Sequence, residues 1–185
     1  MFKDRTEAAL KLAQLLKGRP LKDPLVLAIP RGGVVIGAEL ARALGAELDV
    51  VLSRKLRAPY QPELAIGAIG EDGEQYLNEF AWGVTGVTDD YITRERDHQL
   101  SEIRRRARLF REARPAAAVA RRSVIVTDDG IATGSTMQAA LHVLKAGNPH
   151  ETILAVPVAP LIAQTLARLA RRSALRSEVA HVQRS

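Results

Sequence analysis

Apolar and polar positions along the chain follow two recurring patterns. Short, mostly apolar runs occur at Leu25-Val-Leu-Ala-Ile29, at residues 48–52, at Ser123-Val-Ile-Val-Thr127 and at residues 152–156. A strand buried on both faces, as in a parallel sheet, shows such runs in place of strict alternation. Between them lie segments with the three- and four-residue spacing of amphipathic helices. Asp4-Arg-Thr-Glu7 has the Asp-x-x-Glu form of a capping box, and residues 8–17 continue as a helix until Gly18-Arg-Pro20 ends it. Residues 34–44 read as a helix closed by Gly45, residues 136–146 as one closed by Gly147, and residues 160–172 as a last helix. Strands and helices alternate, which predicts an α/β fold with an open, mainly parallel sheet flanked by helices.

The middle of the chain departs from this alternation. Residues 53–62 are polar, basic and contain proline, and read as a loop. Residues 64–69 and 75–77 flank Glu71-Asp-Gly73, which predicts a β-hairpin with an Asp-Gly turn. A small hood insertion at about residues 53–90 is therefore expected within a single domain covering residues 1–172. Residues 173–185 read as a polar, basic tail with no clear strand. Thr88 with Asp89 and Asp90 predicts the start of a long helix reaching about Arg114, because acids suit the positive end of the helix dipole. Tyr91, Ile92, Leu100, Ile103, Leu109 and Phe110 supply its apolar stripe, and Glu102 with Arg106 forms an i,i+4 pair.

Composition narrows the function classes. The chain has 185 residues, no cysteine and a formal net charge of +6. Thiolate nucleophiles, disulfides and thiolate metal sites are excluded. No apolar run approaches the ~20 residues needed to span a bilayer. Residues 1–12 are rich in charge, so no secretory signal is expected, and a soluble cytoplasmic protein is the expectation. The charge is regional: residues 94–122 hold ten Arg against four acids, and residues 161–185 hold five Arg against one Glu. The plain reading of the Arg-rich helix is a solvated face, with a polyanion or a partner subunit as the alternatives. Aromatic residues are not interleaved with the arginines, so stacking on single-stranded nucleic acid is not suggested. His98, His142, His150 and His181 are scattered and read as ordinary surface residues, with no spacing typical of a transition-metal site.

The segment most informative about chemistry is Val124-Ile-Val-Thr-Asp-Asp-Gly-Ile-Ala-Thr-Gly-Ser-Thr136. It is a buried strand, an acid pair, a loop of small and hydroxyl residues, and a helix start. In open parallel sheets ligands bind beyond the carboxyl ends of strands, and a helix N-terminus favours an anion. Thr133, Ser135 and Thr136 add hydroxyl donors, and Gly134 admits close approach. No Gly-x-x-x-x-Gly-Lys is present, so this is not a nucleoside-triphosphate loop. Two carboxylates beside a phosphate need another task, and accepting hydrogen bonds from a diol is one. Phosphate at one end and a diol at the other describe a ribose 5-phosphate.

This segment resembles the PRPP-binding motif of the type I phosphoribosyltransferases, where PRPP is 5-phosphoribosyl 1-diphosphate. The resemblance implies that Asp128 and Asp129 bind the ribose hydroxyls, that Ala132, Thr133, Gly134, Ser135 and Thr136 surround the 5′-phosphate, and that Gly130 is among the PRPP-binding residues. A second segment is similar to the family's diphosphate loop: Pro30-Arg31-Gly32-Gly33 after the first strand, with Gly37 following, closest to the bacterial xanthine–guanine type. There the amides of Gly32 and Gly33 and the charge of Arg31 are expected to face diphosphate, in a loop that often holds a non-proline cis peptide. A dinucleotide fingerprint would need glycine at 34, which is Val34. Arg54 and Lys55 resemble a basic pair of the family's mobile loop, and Lys55 joins Arg31, Asp128 and Asp129 as an expected catalytic residue.

The implied activity is transfer of the 5-phosphoribosyl group from PRPP to a nitrogen acceptor, in the first place a nucleobase, with release of diphosphate. The resemblance also implies Mg²⁺, bound mainly through PRPP and not by a protein metal site. The position of Ala132 is Asp in hypoxanthine–guanine members and Ala in adenine and orotate members, so the resemblances point to different acceptors. The nearest group is that of bacterial phosphoribosyltransferases of unsettled substrate. The other reading is a non-catalytic regulator that binds PRPP or a nucleotide and uses its basic surface for nucleic acid or a partner. A homo-oligomer is left open, nucleic acid is not favoured, and no membrane is expected.

Overall fold

The computed structural model describes residues 4–129, 135–157 and 177–181. The helix expected at 160–172 and the site positions Gly130, Ala132, Thr133 and Gly134 lie outside them. The chain divides into two compact units: residues 1–51, 117–134 and 147–185 form the first, and residues 52–116 and 135–146 the second. The second unit contains residues 53–90 together with two helices.

The first unit is built on a five-stranded parallel sheet of order β2-β1-β6-β7-β8. Its strands are β1 (Leu25–Ala28), β2 (Glu47–Val50), β6 (Ser123–Thr127), β7 (Glu151–Val156) and β8 (Ser177–His181). Val26, Ile125 and Ile153 stand side by side in register across β1, β6 and β7. They pack with Leu12 and Leu16 of α1 (Arg5–Leu16) and with Ile36 and Leu40 of α2 (Gly32–Leu44). The residues between them, Leu25, Leu27, Val124, Val126 and Leu154, are buried as well. Burial on both faces is why these strands read as unbroken apolar runs.

Local signals set the helix ends. Asp4 caps α1 by accepting a 2.8 Å hydrogen bond from the Glu7 N–H. Gly45 closes α2 in the left-handed conformation, at φ +61. Gly37 lies where a Cβ would approach that of Ala28 to 2.8 Å, so its lack of a side chain lets α2 lie close on β1. α2 begins at Gly32, two residues earlier than the sequence suggests.

Residues 177–181 form a strand where the sequence offers none. β8 is the edge strand of the sheet, a position that does not demand a continuous apolar run. Its pairing with β7 runs from Thr152↔Ser177 to Val156↔His181.

The second unit holds an antiparallel sheet of β3 (Ser53–Ala58), β4 (Gln61–Gly70) and β5 (Gln75–Leu77). It also holds a 3₁₀ turn at Ala81–Gly83, α3 (Asp89–Arg111) and α4 (Ser135–Ala146). The Asp-Gly hairpin between β4 and β5 forms as expected, with Gly73 at φ +84. The loop expected at 53–62 is instead a β-hairpin. Its basic residues are compatible with a strand because Leu56 and Ala58 are buried and the guanidinium groups find partners on α3.

Those partners lie in the stripe of α3 read as apolar. Thr88 caps the helix, accepting from the Tyr91 N–H, and Ile92, Leu100 and Ile103 are buried. Leu109 is exposed and takes no part in the core. Glu95 and Gln99 are buried in the same stripe. Glu95 accepts from the Arg57 backbone N–H at 3.0 Å, from its Nε at 2.8 Å and from Gln99 Nε2 at 2.9 Å. Register shifts on either side of Arg57 mark a bulge, and Glu95 satisfies the N–H that the ladder does not. Burial alone raises the Glu95 carboxyl, but the Arg57 side chain and backbone, with Gln99, outweigh it and hold the group below its ordinary value. The expected Glu102–Arg106 pair is replaced by Glu102 with Arg105, one residue closer, at 3.0 Å. His142, read as a surface residue, stacks on Tyr76 with ring centroids 4.0 Å apart. Burial, followed by Lys145, lowers its pKa.

Candidate active site

The strand order fixes where a ligand meets the first unit. From β1 the chain runs through α2 outward to β2, whereas β6, on the other side of β1, is followed outward by β7 and β8. Adjacent parallel strands whose connections leave in opposite directions open a crevice at their carboxyl ends. β1 and β6 are such a pair, in register from Leu25↔Val124 to Ala28↔Thr127. The Pro30–Gly33 turn follows one, and Asp128-Asp129 follow the other.

These two segments touch. The space that a Cβ on Gly32 would need is filled by the Asp129 carboxylate. A Cβ on Gly33 would lie 2.7 Å from the Thr127 carbonyl oxygen and 2.9 Å from the Asp128 Cα. The Pro30–Arg31 peptide is cis, as the family resemblance implies. The amide of Gly33 donates to the Ile29 carbonyl at 3.1 Å and that of Val34 to the Arg31 carbonyl at 3.2 Å. The Gly33 N–H, expected to face diphosphate, is thus engaged within the turn. Arg31 is exposed at the start of α2 and makes no side-chain cap there.

The two acids differ in environment. Asp128 is half-buried, and its Oδ1 accepts the Asp129 N–H at 2.8 Å. Loss of solvent pushes its carboxyl from the ordinary 3.8 up to about 6; the Asp129 N–H works against that rise and the neighbouring carboxylate adds to it. Asp129 is more exposed, and its Oδ2 is paired with Arg5 Nη2 at 2.9 Å. Thr127, fully buried at the end of β6, has a hydroxyl without a hydrogen-bond partner among the described residues.

Of the expected site residues, Arg31, Gly32, Gly33, Asp128 and Asp129 are brought together in the first unit. Lys55, Ser135 and Thr136 belong to the second. Lys55 lies on β3, its ammonium held by the Glu63 carboxylate at 3.2 Å and the Glu63 carbonyl at 3.3 Å. Ser135 and Thr136 open α4, and Thr136 is exposed. No motif of the sequence marks Arg5. Its one local signal is a cation in the first turn of a helix, where the dipole disfavours it.

The family described as "Phosphoribosyl transferase domain" matches residues 5–178. The chain belongs to the phosphoribosyl transferase domain family. Two curated Mycobacterium tuberculosis relatives, each named "Putative phosphoribosyl transferase", are 43% identical over 160 residues, which is 86% of this chain. The chain spans about a third, 36%, of those relatives' own length. The crystal structure of TT1426 from Thermus thermophilus shares 42% identity, with a TM-score of 0.86 over 98% of this chain and 84% of that one. A purine phosphoribosyltransferase from Pyrococcus horikoshii shares the fold at 14% identity, with a TM-score of 0.51 over 100% of this chain and 85% of that one. The parallel sheet flanked by helices is the fold shared with these two structures.

Among the described residues no three acid or histidine side chains gather as a metal site, and no helix is long and apolar enough to cross a membrane. The donor set at the crevice is two neighbouring carboxylates and a glycine turn. That set fits Mg²⁺ carried on PRPP, since this ion is usually held through substrate phosphates and water with few protein ligands.

Proposed function

We propose that this phosphoribosyltransferase chain binds PRPP at the β1–β6 crevice and transfers its 5-phosphoribosyl group to a nitrogen acceptor. The observation that carries this reading is the contact between the glycine turn after β1 and the acid pair after β6 at the switch point of the sheet. Asp128 and Asp129 accept hydrogen bonds from the ribose hydroxyls. The Gly32 end of α2 and Arg31 face the diphosphate, where a helix N-terminus suits an anion. By its motif alone, the hydroxyl-bearing stretch that includes Ser135 and Thr136 is the part of the chain assigned to the 5′-phosphate. When bound with PRPP, Mg²⁺ neutralises charge on the leaving diphosphate.

The bond that breaks joins the anomeric carbon to a diphosphate oxygen, and the bond that forms joins that carbon to the acceptor nitrogen, which gives up a proton to solvent. Positive charge grows on the ring and negative charge on the leaving group. The protein acts by holding both fixed and by placing dipoles where the charge develops. Ala132 offers no side-chain base, and no step is assigned to Lys55.

Calorimetric titration with PRPP and Mg²⁺, followed by a diphosphate-release screen over purines, pyrimidines and amines, tests this reading. Replacing both acids, Asp128→Asn with Asp129→Asn, is expected to weaken PRPP binding at least about a hundredfold, because hydrogen bonds to charged groups contribute ~1.5–3 kcal/mol each. A double variant that binds PRPP as tightly as the wild type would refute it. Binding without turnover across the whole panel would point to the regulator.

A further inference from the structure

Arg5 stands at the first position of α1, where the positive end of its own helix disfavours a cation. Its Nη2 instead reaches across 124 positions of sequence to Asp129 Oδ2. Among the described residues this is the one hydrogen bond or ion pair that the Arg5 side chain makes. The acceptor matters here. The same oxygen is the atom nearest to where a Cβ of Gly32 would stand. One carboxylate oxygen therefore separates the guanidinium from the glycine turn. The pair is open to water, with side-chain exposures of 58% and 39%. Such pairs are weak and exchange partners readily.

We infer that Arg5 is a diphosphate-binding residue that exchanges the Asp129 carboxylate for the diphosphate when PRPP binds. This inference rests on the PRPP reading above. A ribose hydroxyl that donates to Asp129 takes the place of the guanidinium. Arg5 is then released beside the turn that faces the diphosphate. A guanidinium binds phosphoryl oxygens in a two-pronged fashion, and a diphosphate carries more charge than one carboxylate offers, so the exchange is favourable. The first helix of the chain thereby supplies a cation to a crevice otherwise made by β1 and β6. Arg5 thus has two partners in turn: the Asp129 carboxylate and, with PRPP bound, the leaving group.

Binding of PRPP and of ribose 5-phosphate to the full chain, at one fixed Mg²⁺ concentration, tests this. Ribose 5-phosphate presents the hydroxyls and the 5′-phosphate but no diphosphate. Arg5→Gln is expected to weaken PRPP about tenfold or more, while ribose 5-phosphate binds as before or more tightly. Arg5→Lys keeps the charge without the fork, and its PRPP affinity is expected between those of the wild type and Arg5→Gln. If Arg5→Gln fails to fold, the Lys variant carries the test through the same ratio of the two ligands. Equal weakening of both ligands, or unchanged PRPP binding, overturns the inference. Tighter binding of both would show that Arg5 only blocks Asp129, and overturns it too. A wild-type chain that binds neither ligand removes the PRPP reading and this inference together, which separates the two failures.

Discussion

Asp128 should be costly to the empty protein and necessary to the loaded one. Its carboxyl is raised from 3.8 to about 6 by burial, opposed by the Asp129 N–H and assisted by the Asp129 carboxylate. A rise of that size corresponds to roughly 3 kcal/mol at 1.36 kcal/mol per unit, and relaxation around a half-buried group brings the expected effect to about 1–2 kcal/mol. The sign follows from linkage: the folded state holds the proton more tightly than the unfolded chain. Asp128 therefore adds no penalty below about pH 3.8; the penalty grows as pH rises towards 6 and stays constant above it. Asp128→Asn removes the charge and keeps an oxygen that can accept the Asp129 N–H, now at 2.8 Å. Urea titrations of wild type and variant should differ by no more than about 0.5 kcal/mol near pH 4. At pH 8 the variant should be more stable by about 1–2 kcal/mol, or roughly 2–8 °C in Tm for a chain of this size. The same variant should bind PRPP about tenfold or more weakly. A stability difference that is the same at pH 4 and pH 8, or a variant less stable at pH 8, would rule out a buried charge penalty at Asp128.

Two further outcomes follow from the packing. Gly33→Ala places a methyl group 2.7 Å from the Thr127 carbonyl, a backbone atom that cannot swing aside; it should cost about 1–3 kcal/mol in urea titrations and displace the acid pair enough to weaken PRPP measurably by calorimetry. Glu95→Ala leaves the Arg57 bulge N–H and guanidinium without their acceptor, and should cost about 3 kcal/mol. Because the Glu95 carboxyl is held below its ordinary value, its contribution is present at neutral pH and is lost as pH falls below about 4.5. The variant and the wild type should therefore converge in acid.

Much of the first unit was legible because its signals are local. The Asp4 cap and Gly45, like the Thr88 cap and the Asp-Gly turn of the second unit, each follow from one residue's backbone preference, and each forms. β6 is read to the residue, since a strand buried on both faces leaves a continuous apolar run. What escaped depends on partners distant in sequence. β3 reads as a basic loop until α3 supplies Glu95 and Gln99. The signal was present in α3 itself, where a Glu and a Gln interrupt a stripe of Ile92, Leu100 and Ile103. β8 is a polar edge strand and carries no apolar run. Of the candidate site, the acid pair and the glycine turn were visible as motifs. Their contact was not, because it depends on β1 and β6 being neighbours, and strand order is not written in periodicity. Nor does any pattern connect Arg5 to Asp129 across 124 positions.

The pairing of β1 with β6 also governs when a site can exist. β1 ends at residue 28 and β6 begins at residue 123. During synthesis the glycine turn emerges long before its acids. A ribosome-bound chain that stops short of Asp128 holds half of a crevice and no diol-binding group. Joining the halves closes a loop of nearly the whole interval, an entropic cost of order 4 kcal/mol from chain length alone, and parallel pairings of such long range form slowly. The β1–β6 crevice is therefore a late product of folding, and a ligand bound there reports that β1 and β6 have paired.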